Sequence, residues 1–255
     1  MDNLFNQKEY LERINYSGSL SPTLHTLKNL QSHHLLNIPF ENLDIHYNNI
    51  ITLDLNNFFH KIVTKSRGGF CFELNGLFYK LLKSIGFDVY IIAGGVFKKD
   101  DEYHNEFGHL SLIVTIDGIK YLTDVGFGRF SFTPLNIELN HIQNDAHGVF
   151  IFDKYNDEYL RVNNVVDSKN VPGFIFKDQP RVLKDFEKMC AFHQTSNESH
   201  FTQKKVISIP TIDGRITLSS EELIIHKNDS TNKLIVKNDK EFEDHLWNYF
   251  KIKMA

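Results

Sequence analysis

The stretch Arg67-Gly68-Gly69-Phe70-Cys71-Phe72-Glu73-Leu74-Asn75 carries the side chain best suited to nucleophilic chemistry. Two glycines let the backbone turn sharply and come close to a ligand. An apolar period starts directly after Cys71, with Leu74, Leu77, Phe78, Leu81 and Leu82 at the spacing of one helix face, and Gly86 supplies a stop. The thiol therefore falls at a helix N-terminus, where free N–H groups and the helix dipole favour an anion. The same N–H groups suit an oxyanion on an attacked carbonyl. The competing reading of Cys71 is a small buried hydrophobe, as most cysteines are. This stretch alone leaves both open.

A nucleophilic cysteine needs a base, and the base needs an orienting group. Asp117-Gly118 is a strong two-residue hairpin signal between apolar runs at 110–116 and 119–125. If it closes the hairpin, Ile116 opposes Ile119, Ser111 opposes Asp124 and His109 opposes Gly126. His109 and Asp124 then become diagonal neighbours on one face, with Cα atoms ~7–8 Å apart, a gap that an imidazole and a carboxylate span. Gly126 leaves room for the ring. A one-residue slip of either strand would separate the two side chains. The competing reading is a solvated surface pair. The apolar run His109-Leu110-Ser111-Leu112-Ile113-Val114 argues against it, because one face of that run must be core.

Helical period dominates residues 1–84. Ser21-Pro22 reads as an N-cap followed by proline at the first helical position, with Leu24, Leu27 and Leu30 behind it. Asp54 is a cap for a helix bearing Leu55, Phe58, Phe59, Ile62 and Val63. After Gly86 the pattern turns to strands, at 89–93, the hairpin above, 148–152 and 159–162. Residues 181–192 read as a connecting helix. A second Asp-Gly turn, Asp213-Gly214, separates 206–212 from 215–218. Strands at 223–226 and 234–236 follow, and Asn238 or Asp239 caps a last helix with Phe242, Leu246, Trp247 and Phe250. Three units are expected: 1–84 carrying the cysteine, 85–180 carrying the histidine and aspartate, and 181–255.

Composition narrows the classes. The 255 residues bury a core without staples. Lys+Arg is 28 against 32 Asp+Glu, which gives no cationic excess for nucleic acid. The only cysteines, Cys71 and Cys190, exclude a disulfide scaffold and a cysteine-rich zinc site. His33-His34 lacks ligand spacing, so no metal is expected. No apolar run reaches the ~18 residues of a membrane span. Met1-Asp2-Asn3 lacks the basic start of a secretion signal, so a cytoplasmic address is expected. Phenylalanine is abundant, at 22 residues.

Four blocks resemble the arylamine N-acetyltransferases. They are Pro39-Phe40-Glu41-Asn42-Leu43; Arg67-Gly68-Gly69 with Cys71-Phe72-Glu73-Leu74-Asn75; Gly108-His109-Leu110 with Leu112; and Tyr121-Leu122-Thr123-Asp124-Val125-Gly126-Phe127-Gly128. They stand in the family's order and at family-like spacing. The C-terminal half is similar only loosely, around Phe192-His193-Gln194-Thr195-Ser196 and Phe201-Thr202-Gln203. The resemblance implies an α+β fold with an N-terminal helical bundle, a central antiparallel β-barrel and a C-terminal α/β lid around a cysteine-proteinase-like core. It implies a triad of Cys71 as nucleophile, His109 as base and Asp124 as orienter. It implies ping-pong transfer of an acetyl group from acetyl-CoA, as co-substrate, to an arylamine, a hydrazine or a hydroxyarylamine. Phe70, Val96 and Phe127, with Phe130 close by, would line the acceptor pocket. Gly126 and Gly128 would admit substrate or CoA, and Phe201 would touch CoA through the lid. Arg67 and Glu73 are candidates to pair and brace the cysteine loop. No nucleic-acid or membrane partner is implied, and oligomeric state is not legible. Two other classes share features. A transglutaminase- or papain-like cysteine hydrolase has the same residue order, although the Arg-Gly-Gly-x-Cys block argues against it. A non-catalytic binding protein would merely keep the fold.

Overall fold

The computed structural model describes residues 5–254. Met1-Asp2-Asn3, on which the expectation of a missing leader rests, lie outside the described residues. Helices form where capping groups and apolar faces coincide. Asn6 accepts from the N–H groups of Lys8 and Glu9 and caps Gln7–Arg13, a helix that the sequence pattern did not mark. The next helix, Leu24–Asn37, starts two residues later than expected. Thr23 is its cap, accepting from Thr26 N–H, while the Ser21 carbonyl is spent on Thr23 N–H at 2.8 Å, so Pro22 sits in a tight turn ahead of the helix. Asp54 caps Leu55–Phe59 as expected, through Asn56 and Asn57 N–H.

Cys71–Ile85 is the central helix. It starts at the cysteine and stops at Gly86, whose φ of 103° is left-handed and needs glycine. Its first eight residues are all buried, because Leu74, Leu77 and Phe78 face the bundle while the start of the helix faces the barrel.

The barrel strands run antiparallel. Asp88–Lys99 lies between His109–Ile116 and Lys169–Phe176. His109–Ile116 pairs onward with Ile119–Thr123, in the expected register, with Ile116 opposite Ile119 and Leu112 opposite Thr123. Asp117 and Gly118 both have positive φ, as a tight hairpin with right-handed twist requires. Leu160–Val166 and Gly148–Lys154 extend the other edge. Lys169–Phe176 was not foreseen; it contains Pro172, which has no N–H to give, and its register shifts between Pro172 and Phe174. The sheet nearly closes, and one side chain bridges the gap. Gln143 takes Asn136 N–H and gives to Asn136 O, both at 2.8 Å, so its amide imitates a peptide unit between the two edges. Phe130, Phe150, Phe152, Phe174 and Phe176 fill the interior.

A short turn at Leu183–Phe186 and the helix Glu187–Thr195 lead to the C-terminal layer. Its sheet contains Val206–Thr211, Gly214–Ser219, Glu222–Lys227 and Ser230–Ile235, and takes Phe40–Glu41 as an edge strand. The turn between the first two is Ile212-Asp213, not Asp213-Gly214, because Thr211 pairs with Gly214. Gly214 is needed for closeness instead: a Cβ there would lie 1.9 Å from the His226 carbonyl oxygen. Asn238 caps the final helix, Asp239–His245. The architecture is thus α+β, with a helical bundle, an antiparallel barrel and a C-terminal α/β layer. Among the described residues no helix is long and apolar enough to cross a membrane.

Asn42 ties the bundle to that layer. Its side chain accepts from Val206 N–H at 2.7 Å and donates to the Phe201 and Lys204 carbonyls, both at 2.9 Å. Replacing Asn42 by Ala strands these groups at about 1–3 kcal/mol apiece. The expected result in urea melts is a loss of about 3 kcal/mol. A midpoint equal to that of the unaltered protein would show that Asn42 is not the tie.

Candidate active site

Two segments shape the cysteine loop. Phe40 pairs with Gly69, and Glu41 N–H donates to Gly69 O at 2.9 Å. A Cβ on Gly68 would lie 2.0 Å from the Pro39 carbonyl oxygen. Gly68 is therefore explained by the approach of another backbone segment, and Gly69 by the Glu73 side chain, 2.8 Å from where its Cβ would lie. Beneath the loop lies a buried cluster of charges. Lys61 Nζ bonds Asp44 at 2.8 Å and Glu73 at 2.9 Å, and Arg67 bonds Glu41 at 2.7 Å and Asp44 at 2.9 Å. Arg67 thus pairs with Glu41 and Asp44, not with Glu73, whose cation is Lys61. Glu73 also accepts from Phe70 N–H at 3.1 Å, satisfying the donor ahead of the cysteine. Burial, reinforced by Glu41 and Asp44 and opposed by Lys61, pushes the Glu73 carboxyl up to about 7.

Cys71 opens the helix, and His109 and Asp124 come from the first hairpin. The three are 3%, 2% and 1% exposed. His109 Nε2 and Asp124 Oδ2 are 2.6 Å apart, and the Cys71 thiol lies within hydrogen-bonding reach of the same imidazole. Burial alone would lower the imidazole. The Asp124 charge, its hydrogen bond and the Cys71 contact outweigh burial and hold His109 at about 10. Asp124 is held below the usual carboxylate range: burial opposes this, but the His109 charge and the hydrogen bonds from His109, Asn75 and Gly126 prevail. By linkage, the stability supplied by His109 is complete below the ordinary imidazole value and lost as pH rises through about 10. The share from Asp124 is lost only in acid, below its ordinary value.

Asn75 was part of the quoted motif but was given no role. It stands one turn after Cys71 and donates to Asp124 Oδ1 at 2.9 Å and to Leu110 O at 2.7 Å, while Val125 N–H donates to its Oδ1 at 2.8 Å. One amide thereby locks the cysteine helix to both strands of the hairpin. The one-turn spacing was a usable signal.

The other candidates divide by place. Phe127 is half-buried with its ring 4.9 Å from that of His109; Phe130 is buried behind it in the barrel. Phe174, from the unforeseen strand, adds a ring 5.2 Å from His109. Phe70 is fully buried under Phe72, Phe201 and His193. Val96 and Phe201 line a cleft of about 410 Å³ with Gly108, Phe192 and His193. Gly128 is exposed with φ of 74°. Gly126 packs on the nucleophile helix: a Cβ there would lie 2.7 Å from Cys71 Cα. Cys190 is buried against Ile51 and Gln194, and burial, with the Glu73 charge, pushes its thiol up to about 12. His33 and His34 are occupied by the Ile14 carbonyl and the Tyr10 hydroxyl.

A cysteine on a helix start, against a histidine bonded to an aspartate, is the arrangement of an acyl-transfer enzyme working through a cysteine. Residues 23–255 match a family model described as N-acetyltransferase. The chain is 34% identical to arylamine N-acetyltransferase 1 of Bos taurus, covering 96% of this chain and 93% of that one. It is 32% identical to the pineal gland isozyme NAT-10 of Gallus gallus, covering 97% and 94%. Among solved structures, the Mycobacterium tuberculosis arylamine N-acetyltransferase superposes with a TM-score of 0.89 at 30% identity, covering 96% and 93%. The Mycobacterium marinum enzyme, solved in complex with CoA, gives 0.88 at 31%, covering 97% and 93%. This chain belongs to the arylamine N-acetyltransferase family and is an N-acetyltransferase.

The two thiols should separate on alkylation. At about pH 6, where an ordinary thiol is protonated, iodoacetamide is expected to label Cys71 far faster than Cys190. Peptide mapping that finds both labelled at one rate would show that Cys71 is not activated. Gly126→Ala should push the hairpin off the helix and cut acetyl transfer by about a hundredfold. Single-turnover kinetics that match the unaltered protein would remove that close approach from the argument.

Proposed function

We propose that the protein moves an acetyl group from acetyl-CoA to the nitrogen of an arylamine or arylhydrazine, and to the oxygen of N-hydroxyarylamines, through an acetyl-Cys71 intermediate. The observation that supports it most is the buried His109–Asp124 bond of 2.6 Å with the Cys71 thiol beside the same imidazole. The CoA complex of the Mycobacterium marinum relative supports the donor.

His109, held at about 10, is an imidazolium at neutral pH, so Cys71 faces a cation. Sulfur attacks the thioester carbonyl and forms the new C–S bond. First-turn N–H groups of the helix, those of Cys71 and a neighbour, hold the oxyanion. Collapse breaks the bond to CoA, whose sulfur leaves with the proton from His109. The neutral imidazole then takes the proton of the entering amine as nitrogen attacks the acetyl carbon, and the Cys71 sulfur leaves. Asp124 fixes the ring orientation and stabilises the cation in each half. Arylamines are weakly basic and arrive uncharged, which suits a wall of Phe127 and Val96 backed by Phe130, with Gly128 at the rim; Phe70, expected in that wall, is buried beneath it and supports rather than lines it. Phe201 borders the path of CoA, while Gly126, expected there too, is taken up by its packing on the cysteine helix. A cytoplasmic setting keeps Cys71 reduced.

Acetyl-CoA alone should release one CoA per enzyme, with continuous release only when an arylamine is added. Release that ignores the amine, with turnover of peptide amides instead, would favour the cysteine-hydrolase reading. Cys71→Ser should abolish transfer; an unaltered rate would remove Cys71 as the acetyl carrier. Asp124→Asn removes the charge that most raises His109 against burial, so the imidazole falls out of the alkaline range. Alkylation of Cys71 at pH 6 should then slow by about tenfold or more. An unchanged rate would show that Asp124 does not set the imidazolium.

A further inference from the structure

His193 stands on the helix Glu187–Thr195, outside the triad, and touches the residue before each of its reacting members. Its Nε2 lies 3.1 Å from the carbonyl oxygen of Gly108, the residue before His109. Its ring meets the ring of Phe70, the residue before Cys71, edge-on at 6.5 Å. It also packs on Phe72 at 5.7 Å and Phe201 at 4.9 Å. The side chain is fixed from behind, with Nδ1 3.3 Å from Ser199 Oγ. Ser199 is itself buried and caps the short helix His200–Gln203 through Phe201 N–H.

We propose that His193 is a positioning residue for acetyl transfer, an imidazole on the connecting helix whose contacts with Gly108 and Phe70 set the gap between Cys71 and His109. The inference rests on the proposed roles of those two residues. The Gly108 carbonyl has two uses for such a donor. It belongs to the short turn Glu106–Gly108 that feeds the histidine strand, and Gly108 places no side chain against the ring. The N–H from Nε2 therefore pins the backbone at the point where His109 leaves the turn. With Nε2–H donating, Nδ1 is an acceptor facing the Ser199 hydroxyl, whose one proton has two acceptors at 3.3 Å, Nδ1 and the His193 carbonyl.

The same site must keep this ring uncharged. His104 and His200 face it across the cleft, and His109 stands beyond Gly108 as a cation. Lys98 adds positive charge near His104. Burial lowers the His193 imidazole to about 4; the Gly108 carbonyl opposes this, and the three neighbouring histidines reinforce it. A second imidazolium would weaken the one on His109. The geometry thus couples a neutral donor histidine to a charged catalytic one.

Three variants test the idea: His193→Phe, which keeps an aromatic ring and loses the donor; His193→Gln, which keeps a donor; and His193→Ala. Each is measured for Cys71 alkylation by iodoacetamide across pH, without substrate, and for steady-state acetyl transfer. His193→Phe is expected to lower kcat by about tenfold to a hundredfold with little change in KM for acetyl-CoA. Its alkylation should slow at pH 6, with the acid limb moved to higher pH, and His193→Gln should recover part of both losses. A merely structural role would lower the melting midpoint and leave the alkylation profile in place. An unchanged profile in His193→Phe would overturn the proposal. So would a loss confined to KM, which would make His193 a binding contact. If His193→Phe alkylates normally and Cys71→Ser still transfers acetyl, the triad reading fails as well; a shifted profile with Cys71→Ser inactive separates the two.

Discussion

A carboxylate with almost no contact with water is the constraint around which the other parts are arranged. An ionised side chain is tolerated there only if its oxygens are satisfied and a counter-charge lies beside it. Asp124 meets both demands: His109 on one oxygen, and the Asn75 amide and Gly126 N–H on the other. Each partner comes from a different place. His109 depends on the hairpin register, Asn75 on the nucleophile helix, and Gly126 on a backbone close enough to that helix to forbid a side chain. Moving any of them leaves a buried charge uncompensated. The fold is thereby driven toward the one packing in which Cys71 meets His109.

The charged cluster under the loop extends the same logic into the bundle. Glu41, Asp44 and Glu73 share Lys61 and Arg67, so carboxylates outnumber cations. Glu73 is raised first by its burial and then by the neighbouring Glu41 and Asp44 charges. That residue also holds the donor ahead of Cys71. Salt bridges of this kind are poor sources of net stability but strong selectors of geometry, because removing one partner leaves the others stranded. Glu41 and its neighbour Asn42 then carry the constraint to the C-terminal sheet through the edge strand and the Val206 contact.

How much of this the sequence disclosed follows from the range of each interaction. The cysteine helix was legible from its first residue to its stop because its period and Gly86 are local. The histidine and aspartate were legible because a two-residue turn converts sequence distance into register. Lys169–Phe176, with Pro172 inside it, was missed, since a register shift is a tertiary solution to a local fault. The partner of Arg67 was misread for a similar reason: Glu41 and Asp44 lie far off in sequence and reach it through the pairing of Phe40 with Gly69. The C-terminal layer showed its strands, but not that it borrows one from the bundle. Arylamine transfer itself was legible only by resemblance, since neither period nor spacing names a substrate.

The surplus of phenylalanine belongs to the same electrostatics. Phe127 and Phe174 lie edge-on or tilted against His109, and Phe130, Phe150 and Phe176 stand behind them. Such rings exclude water and lower the local dielectric, which strengthens the attraction between imidazolium and carboxylate and raises the penalty for any unpaired charge. An alkylamine, cationic at neutral pH, would have to lose its hydration shell or its proton beside a cation. An arylamine carries no charge and presents a ring to rings. In the proposed reaction the aromatic packing that stabilises the barrel thus also favours an uncharged nitrogen as the acceptor.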